Sequence, residues 1–96
     1  MELVKLNEAY TLTDELENGW KASGQVIREQ SGELRINFSI NKQDTYIGNY
    51  NYDIYAGNDN VNVNYSAVKG QEDAVCEYGD SLVEQIMERL NNQLNN

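Results

Sequence analysis

From residue 34 to residue 41 apolar and polar residues alternate without a break, with Leu34, Ile36, Phe38 and Ile40 set against Arg35, Asn37, Ser39 and Asn41. Successive side chains of a strand point to opposite faces, so this run predicts a half-buried strand with its four apolar residues on one side. A second alternating run, Asn60 to Ser66, places Val61, Val63 and Tyr65 inward and Asn60, Asn62 and Asn64 outward. Between them, Thr45 to Tyr55 reads as a strand with Tyr46, Tyr50, Tyr52 and Ile54 on one face and Ile47, Asn49, Asn51, Asp53 and Tyr55 on the other. Trp20 to Arg28 is a fourth strand, with Trp20, Ala22, Gly24 and Val26 on one side. The connections at Ser31-Gly32, at Asn41 to Asp44 and at Ala56 to Asp59 are built from residues that tolerate positive φ or bond their own backbone. Hairpins in succession make an antiparallel meander.

The period changes toward the C-terminus. From Ser81, the residues Leu82, Val83, Ile86, Met87, Leu90 and Leu94 form one apolar stripe at helical spacing, with Ser81 and Glu84 reading as a capping box. This predicts an amphipathic helix that ends in an Asn-rich tail and covers one face of the sheet. Gly70 to Asp80 reads as a loop, with room for a short strand at Ala74 to Tyr78. At the other end, Leu3, Leu6 and Tyr10 fit helical spacing and predict a helix from about residue 2 to residue 10, while Thr13 to Gly19 reads as a short capped helical turn. The expected fold is α+β: an antiparallel meander of four to five strands with a C-terminal amphipathic helix packed on one face. Its 96 residues predict a single domain spanning 1–96.

Composition changes the picture chiefly through charge. Seven Lys and Arg face sixteen Asp and Glu, a net charge of −9. Phosphate backbones and anionic lipids repel such a polyanion, so direct nucleic-acid or membrane binding is not expected and the partner predicted is a basic protein. The chain has no His, which removes imidazole triads, proton shuttles and most transition-metal sites. Its one cysteine, Cys76, has neither a His partner nor a basic neighbour to lower its pKa and reads as structural. Asn58-Asp59-Asn60 resembles a calcium-loop tripeptide but lacks the Gly and Glu such a loop needs at fixed distances, and reads as a hairpin tip. No phosphate-binding glycine motif occurs, and no acid or base stands out as catalytic. No enzyme activity, cofactor or metal is expected. The N-terminus has no signal-peptide pattern and no segment has the length of a membrane span, so a cytoplasmic location is expected, that of the host cell if the chain is phage-encoded.

Two surface features remain. Asp80, Glu84 and Glu88 recur at intervals of four on the predicted helix, with Asp73 and Glu77 just upstream; at helical rise these carboxylates repeat every ~6 Å, of the order of phosphate spacing along a strand. Like charges at this spacing destabilise a helix by ~0.2–0.5 kcal/mol per pair, which favours a role beyond solubility. The second feature is the Tyr- and Asn-rich sheet surface that includes Asn49, Asn51, Asp53 and Tyr55, a composition suited to protein contacts.

In size, charge, absence of His and Pro, and the acidic row Asp80, Glu84, Glu88, the chain resembles the small phage and plasmid inhibitors of host nucleic-acid-targeting defence, of the anti-CRISPR and anti-restriction type. The resemblance is one of character and covers composition and the C-terminal row. It implies a non-enzymatic viral inhibitor acting as a nucleic-acid mimic: its acids occupy the Lys/Arg channel of a nuclease or CRISPR effector, and tyrosines anchor the contact. Charge reversal of Asp80, Glu84 and Glu88 is then expected to abolish binding at an unchanged thermal midpoint. The alternative is a small-ligand or carbohydrate module that uses Trp20, Tyr55 and the Asn-rich face. An assembly subunit that pairs through an exposed edge strand would instead show concentration-dependent oligomers.

Overall fold

A computed structural model describes residues 1–6, 9–16, 18–29, 32–55 and 60–94, with residues 5, 6, 93 and 94 described by backbone alone. Six strands and one helix follow in chain order: β1 (Glu2–Leu6), β2 (Ala9–Glu15), β3 (Trp20–Arg28), β4 (Leu34–Lys42), β5 (Thr45–Ile54), β6 (Val61–Ala67) and α1 (Glu72–Leu94). The strands lie in sheet order β1 to β6, each antiparallel to its sequence neighbour. The architecture is α+β, an open meander with its only described helix at the C-terminus, and it holds six strands rather than four or five.

Two strands are added at the N-terminus, where residues 2–6 and 9–15 are strand in place of the expected helix over residues 2–10 and of the first part of the capped turn from Thr13; Gly19 N–H donates to Leu16 O in the turn that follows. Leu3 pairs with Leu12, and Tyr10 with Val26. Tyr10 and Leu12 alternate with the β-branched Thr11 and Thr13, a period-two signal that outweighs the helical spacing of Leu3, Leu6 and Tyr10.

Cross-strand register lines up one continuous row, Leu3, Leu12, Gly24, Phe38, Tyr50 and Tyr65, on the helix side of the sheet. The rings of Phe38 and Tyr50 stack at 5.4 Å, and those of Tyr50 and Tyr65 at 6.2 Å. The opposite face carries Gln25, Asn37, Asn51 and Asn64 in register and is open. The β4–β5 turn is a two-residue hairpin with positive φ at Gln43 and Asp44, as its polar sequence suits. Just beyond it the pairing slips: Ile40 faces Gly48 while Asn41 faces Tyr46, leaving Ile47 as an extra residue in β5. This bulge turns Ile47 into the core and Tyr46 out to solvent, so Tyr46 does not share a buried face with Tyr50. The expected turns at Ser31 and over 56–59 lie outside the described residues.

The helix begins at Glu72, not Ser81, and runs on through the Asn91-Asn92 pair. The segment expected as loop or strand is therefore its first two turns, and Ser81 and Glu84 are mid-helix rather than a cap. Gly70, at φ 93°, turns the chain, and its N–H donates to the Glu72 carboxylate at 3.0 and 3.1 Å. The backbone N–H of Glu72 itself, and then that of Gly70, hold the Glu72 carboxyl below its ordinary pKa. Val75, Leu82, Val83, Ile86 and Leu90 are buried against Leu12, Ala22, Val26, Leu34, Ile36, Phe38, Ile40 and Tyr50. Gly79 interrupts the apolar stripe because the ring of Tyr50 sits there: a Cβ would lie 2.1 Å from Tyr50 Cδ2. Among the described residues no helix is long and apolar enough to cross a membrane.

Candidate functional site

Burial of one side of α1 leaves its other side free, and that side is acidic. At ~100° per residue, Asp73, Glu77, Asp80, Glu84 and Glu88 fall within an arc of about 80°, opposite the buried stripe, and all five are exposed. The row is about 22 Å long. The helix holds six acids and one base, Arg89, so it carries 1 − 6 = −5 of the chain's net −9. The side-chain ion pairs Lys21–Glu15 and Arg35–Glu33 lie on or beside the sheet. None of the five helix acids has a basic partner among the described residues. They do not converge on a point either: no group of three or more metal-ligating side chains forms among the described residues. The arrangement is a row of separate solvated carboxylates, suited to a charged surface.

Asp80 differs from the other four. Its Oδ1 accepts a hydrogen bond from the Tyr50 hydroxyl, and its Oδ2 accepts from Cys76 Sγ at 3.7 Å. Burial, then the Asp80 bond and charge, push the Tyr50 phenol well above its usual pKa. Tyr65 lies beside this group. Its pKa is also raised, first by its hydrogen bond to Cys76 and that thiol's charge, then by desolvation and the charges of Asp73 and Asp80. The α1 flank bearing Asp73, Cys76 and Asp80 therefore overhangs β6.

The other flank of the helix faces β2 and β3. The Tyr78 hydroxyl donates to Asp14 Oδ2 at 2.7 Å, and its ring stacks on Trp20 at 5.7 Å. Desolvation and this bond to Asp14 raise the Tyr78 pKa. A recess of about 300 Å³ opens here between Trp20, Tyr78, Glu77 and Gln85.

The structure brings Asp73, Glu77, Asp80, Glu84 and Glu88 together on α1 and places Asn49, Asn51 and Asp53 on the open sheet face behind it. Asn49 accepts a 3.0 Å hydrogen bond from Ser66 in that polar lattice. Tyr55, just past β5, is exposed. One flat partner surface cannot touch the helix row and the Asn face together. Trp20 is likewise on the helix side, apart from Asn49 and Asn51, so the ring and amides of a carbohydrate platform are not assembled.

The aromatic and apolar residues that do adjoin the acid row are ones expected in the core. Val61, Val63 and Tyr65 point to the helix side but are 43%, 49% and 41% exposed, because β6 is the sheet edge and α1 does not reach past it. Alternation gives the correct face, but a single sequence does not show which strand is last in the sheet. Neither family models, curated proteins nor solved structures provide a match to this chain.

Proposed function

We propose that the protein is a non-enzymatic, acidic protein-binding inhibitor whose α1 row occupies a basic nucleic-acid-binding surface of its partner, of nuclease or CRISPR-effector type. The observation that carries this reading is the unpaired row itself. Five exposed carboxylates line one helix face, with no base set against them among the described residues, although the chain has seven Lys and Arg to place. Five charges over about 22 Å give one carboxylate every ~5–6 Å, of the order of phosphate spacing along a strand. Fixed on a helix packed against the sheet, these charges need little ordering on binding, and the net −9 steers a basic partner toward them. Direct binding of nucleic acid or of a membrane is not part of the reading, and the protein acts in the cytoplasm, where the nucleic-acid machinery of a host cell lies.

The test is capture from host lysate at low salt, elution by a salt gradient, and comparison with the variant Glu77→Gln/Glu84→Gln/Glu88→Gln. This variant leaves Asp80 bonded to Tyr50 and Asp73 at the helix N-terminus. Capture of a nucleic-acid-binding protein by the native chain but not by the variant supports the reading; equal capture by both contradicts it.

A further inference from the structure

The two edges of the sheet are treated differently. β1 carries Glu2 and Lys5, whereas β6, Val-Asn-Val-Asn-Tyr-Ser-Ala, has no charge, no proline and no bulge, three devices that normally stop an edge from pairing. Its outward main-chain groups can be assigned. Val68 N–H donates to Ile47 O at 2.8 Å, and the ladder alternates from that pair, so the N–H and C=O groups of Val61, Val63 and Tyr65 face away from β5. The same residues expose apolar side chains on the helix side, and Tyr65, whose ring stacks on that of the Asp80-bonded Tyr50, lies beside the flank of α1 that carries Asp73 and Asp80.

We propose that β6 is a docking edge that takes an extended basic segment of the partner as a seventh strand. A strand added there lies about 4.8 Å beyond β6. Every second side chain of it then projects to the helix side, beside Val63 and Tyr65. A Lys or Arg at such a position lays its aliphatic stem on these residues and extends its cationic head toward Asp73 and Asp80. The exposed Tyr65 ring adds a cation–π face. Charge selects this occupant over a second copy of the chain. Two-fold pairing of β6 with itself would set the Asp73/Asp80 flanks of two −9 molecules facing each other across the seam. The inference rests on the reading of α1 as the face for a basic partner and adds how that partner is held.

The experiment uses the full chain and a peptide of alternating lysine and threonine, with the glutamate–threonine peptide as control, read by fluorescence anisotropy and by amide hydrogen exchange. Only the lysine peptide is expected to bind, protecting the Val61, Val63 and Tyr65 amides. Val63→Pro removes one outward donor without breaking a bond to β5 and is expected to weaken the peptide's Kd by roughly tenfold or more. Val63→Lys keeps every main-chain donor but places a positive charge at the seam, and it should weaken binding even if the proline variant fails to fold. Equal affinity in the native chain and both variants overturns the proposal, as does protection that appears without peptide and grows with protein concentration, since a second copy would then be the occupant. If the triple glutamine variant loses the lysate partner while Val63→Pro retains it, the edge proposal fails alone. If Val63→Pro loses that partner and the glutamine variant keeps it, the acidic-row reading fails alone.

Discussion

Adjacent residues Gly79 and Asp80 are both set by Tyr50. The ring lies where a residue-79 Cβ would go, and the hydroxyl ends on the Asp80 carboxylate. Gly79→Ala should gain up to ~1 kcal/mol of helix propensity yet lose more by displacing the buried ring, where overpacking costs ~1–3 kcal/mol. A lowered thermal midpoint is the expected result, the reverse of what Gly→Ala does in an exposed helix. Asp80→Ala leaves the buried Tyr50 hydroxyl without its acceptor and should cost about 1–3 kcal/mol, while Glu84→Ala should cost nothing measurable in the same denaturant titration. Charge reversal that includes Asp80 should therefore lower the midpoint rather than leave it nearly unchanged, as the sequence alone leads one to expect. Tyr50 and Tyr78 also make stability depend on alkaline pH. Their folded pKa values are raised above the ordinary ~10, so the folded chain keeps protons that the unfolded chain releases. Stability is complete below pH ~10 and falls as pH rises past it; Tyr78→Phe should flatten that fall in thermal melts between pH 9 and 12.

At the scale of elements, the proposed role of α1 sets binding against stability. Its i, i+4 pairs Asp73–Glu77, Asp80–Glu84 and Glu84–Glu88 are all like-charged. The Glu77→Gln/Glu84→Gln/Glu88→Gln variant relieves all three and should raise stability by about 1 kcal/mol in low salt while binding is lost. If the row served only solubility, the gain in stability would come with no loss of partner. The helix also shows where a sequence is hard to read. Val75 continues the buried stripe of Leu82, Ile86 and Leu90 two turns earlier, but Gly79 between them looks like a breaker unless the ring that requires it is known. The central strands β3 to β5 were legible because alternation reports burial on one face, and four apolar residues of β4 are indeed buried. The bulge at Ile47 and the exposure of β6 depend on neighbours outside each run, so alternation alone put Tyr46 on the buried face and gave Val61, Val63 and Tyr65 their correct face but not their exposure. The acid row was legible in spacing alone, though its relation to Tyr65 was not.

For the whole molecule, charge is unevenly placed: the helix side holds the unpaired acids, and the reverse side of the sheet is a lattice rich in Asn, Ser and Gln in which charges of both signs face each other, Lys21 with Glu15 and Arg35 with Asp53. On the proposed reading a basic partner approaches from one side and its association depends on ionic strength, with the on-rate expected to fall between about 50 mM and 500 mM salt as the Debye length shrinks to a few ångströms. Substitutions on the open face, such as Asn51→Ala, should leave the partner's Kd within about twofold, since rim or remote positions contribute little. The most direct measurement is competition: the purified partner, once captured, is titrated with this protein in the presence of increasing nucleic acid of the kind the partner binds. Mutual exclusion, with the apparent Kd rising in proportion to nucleic-acid concentration, is the predicted result. A ternary complex with an unchanged Kd would contradict the account.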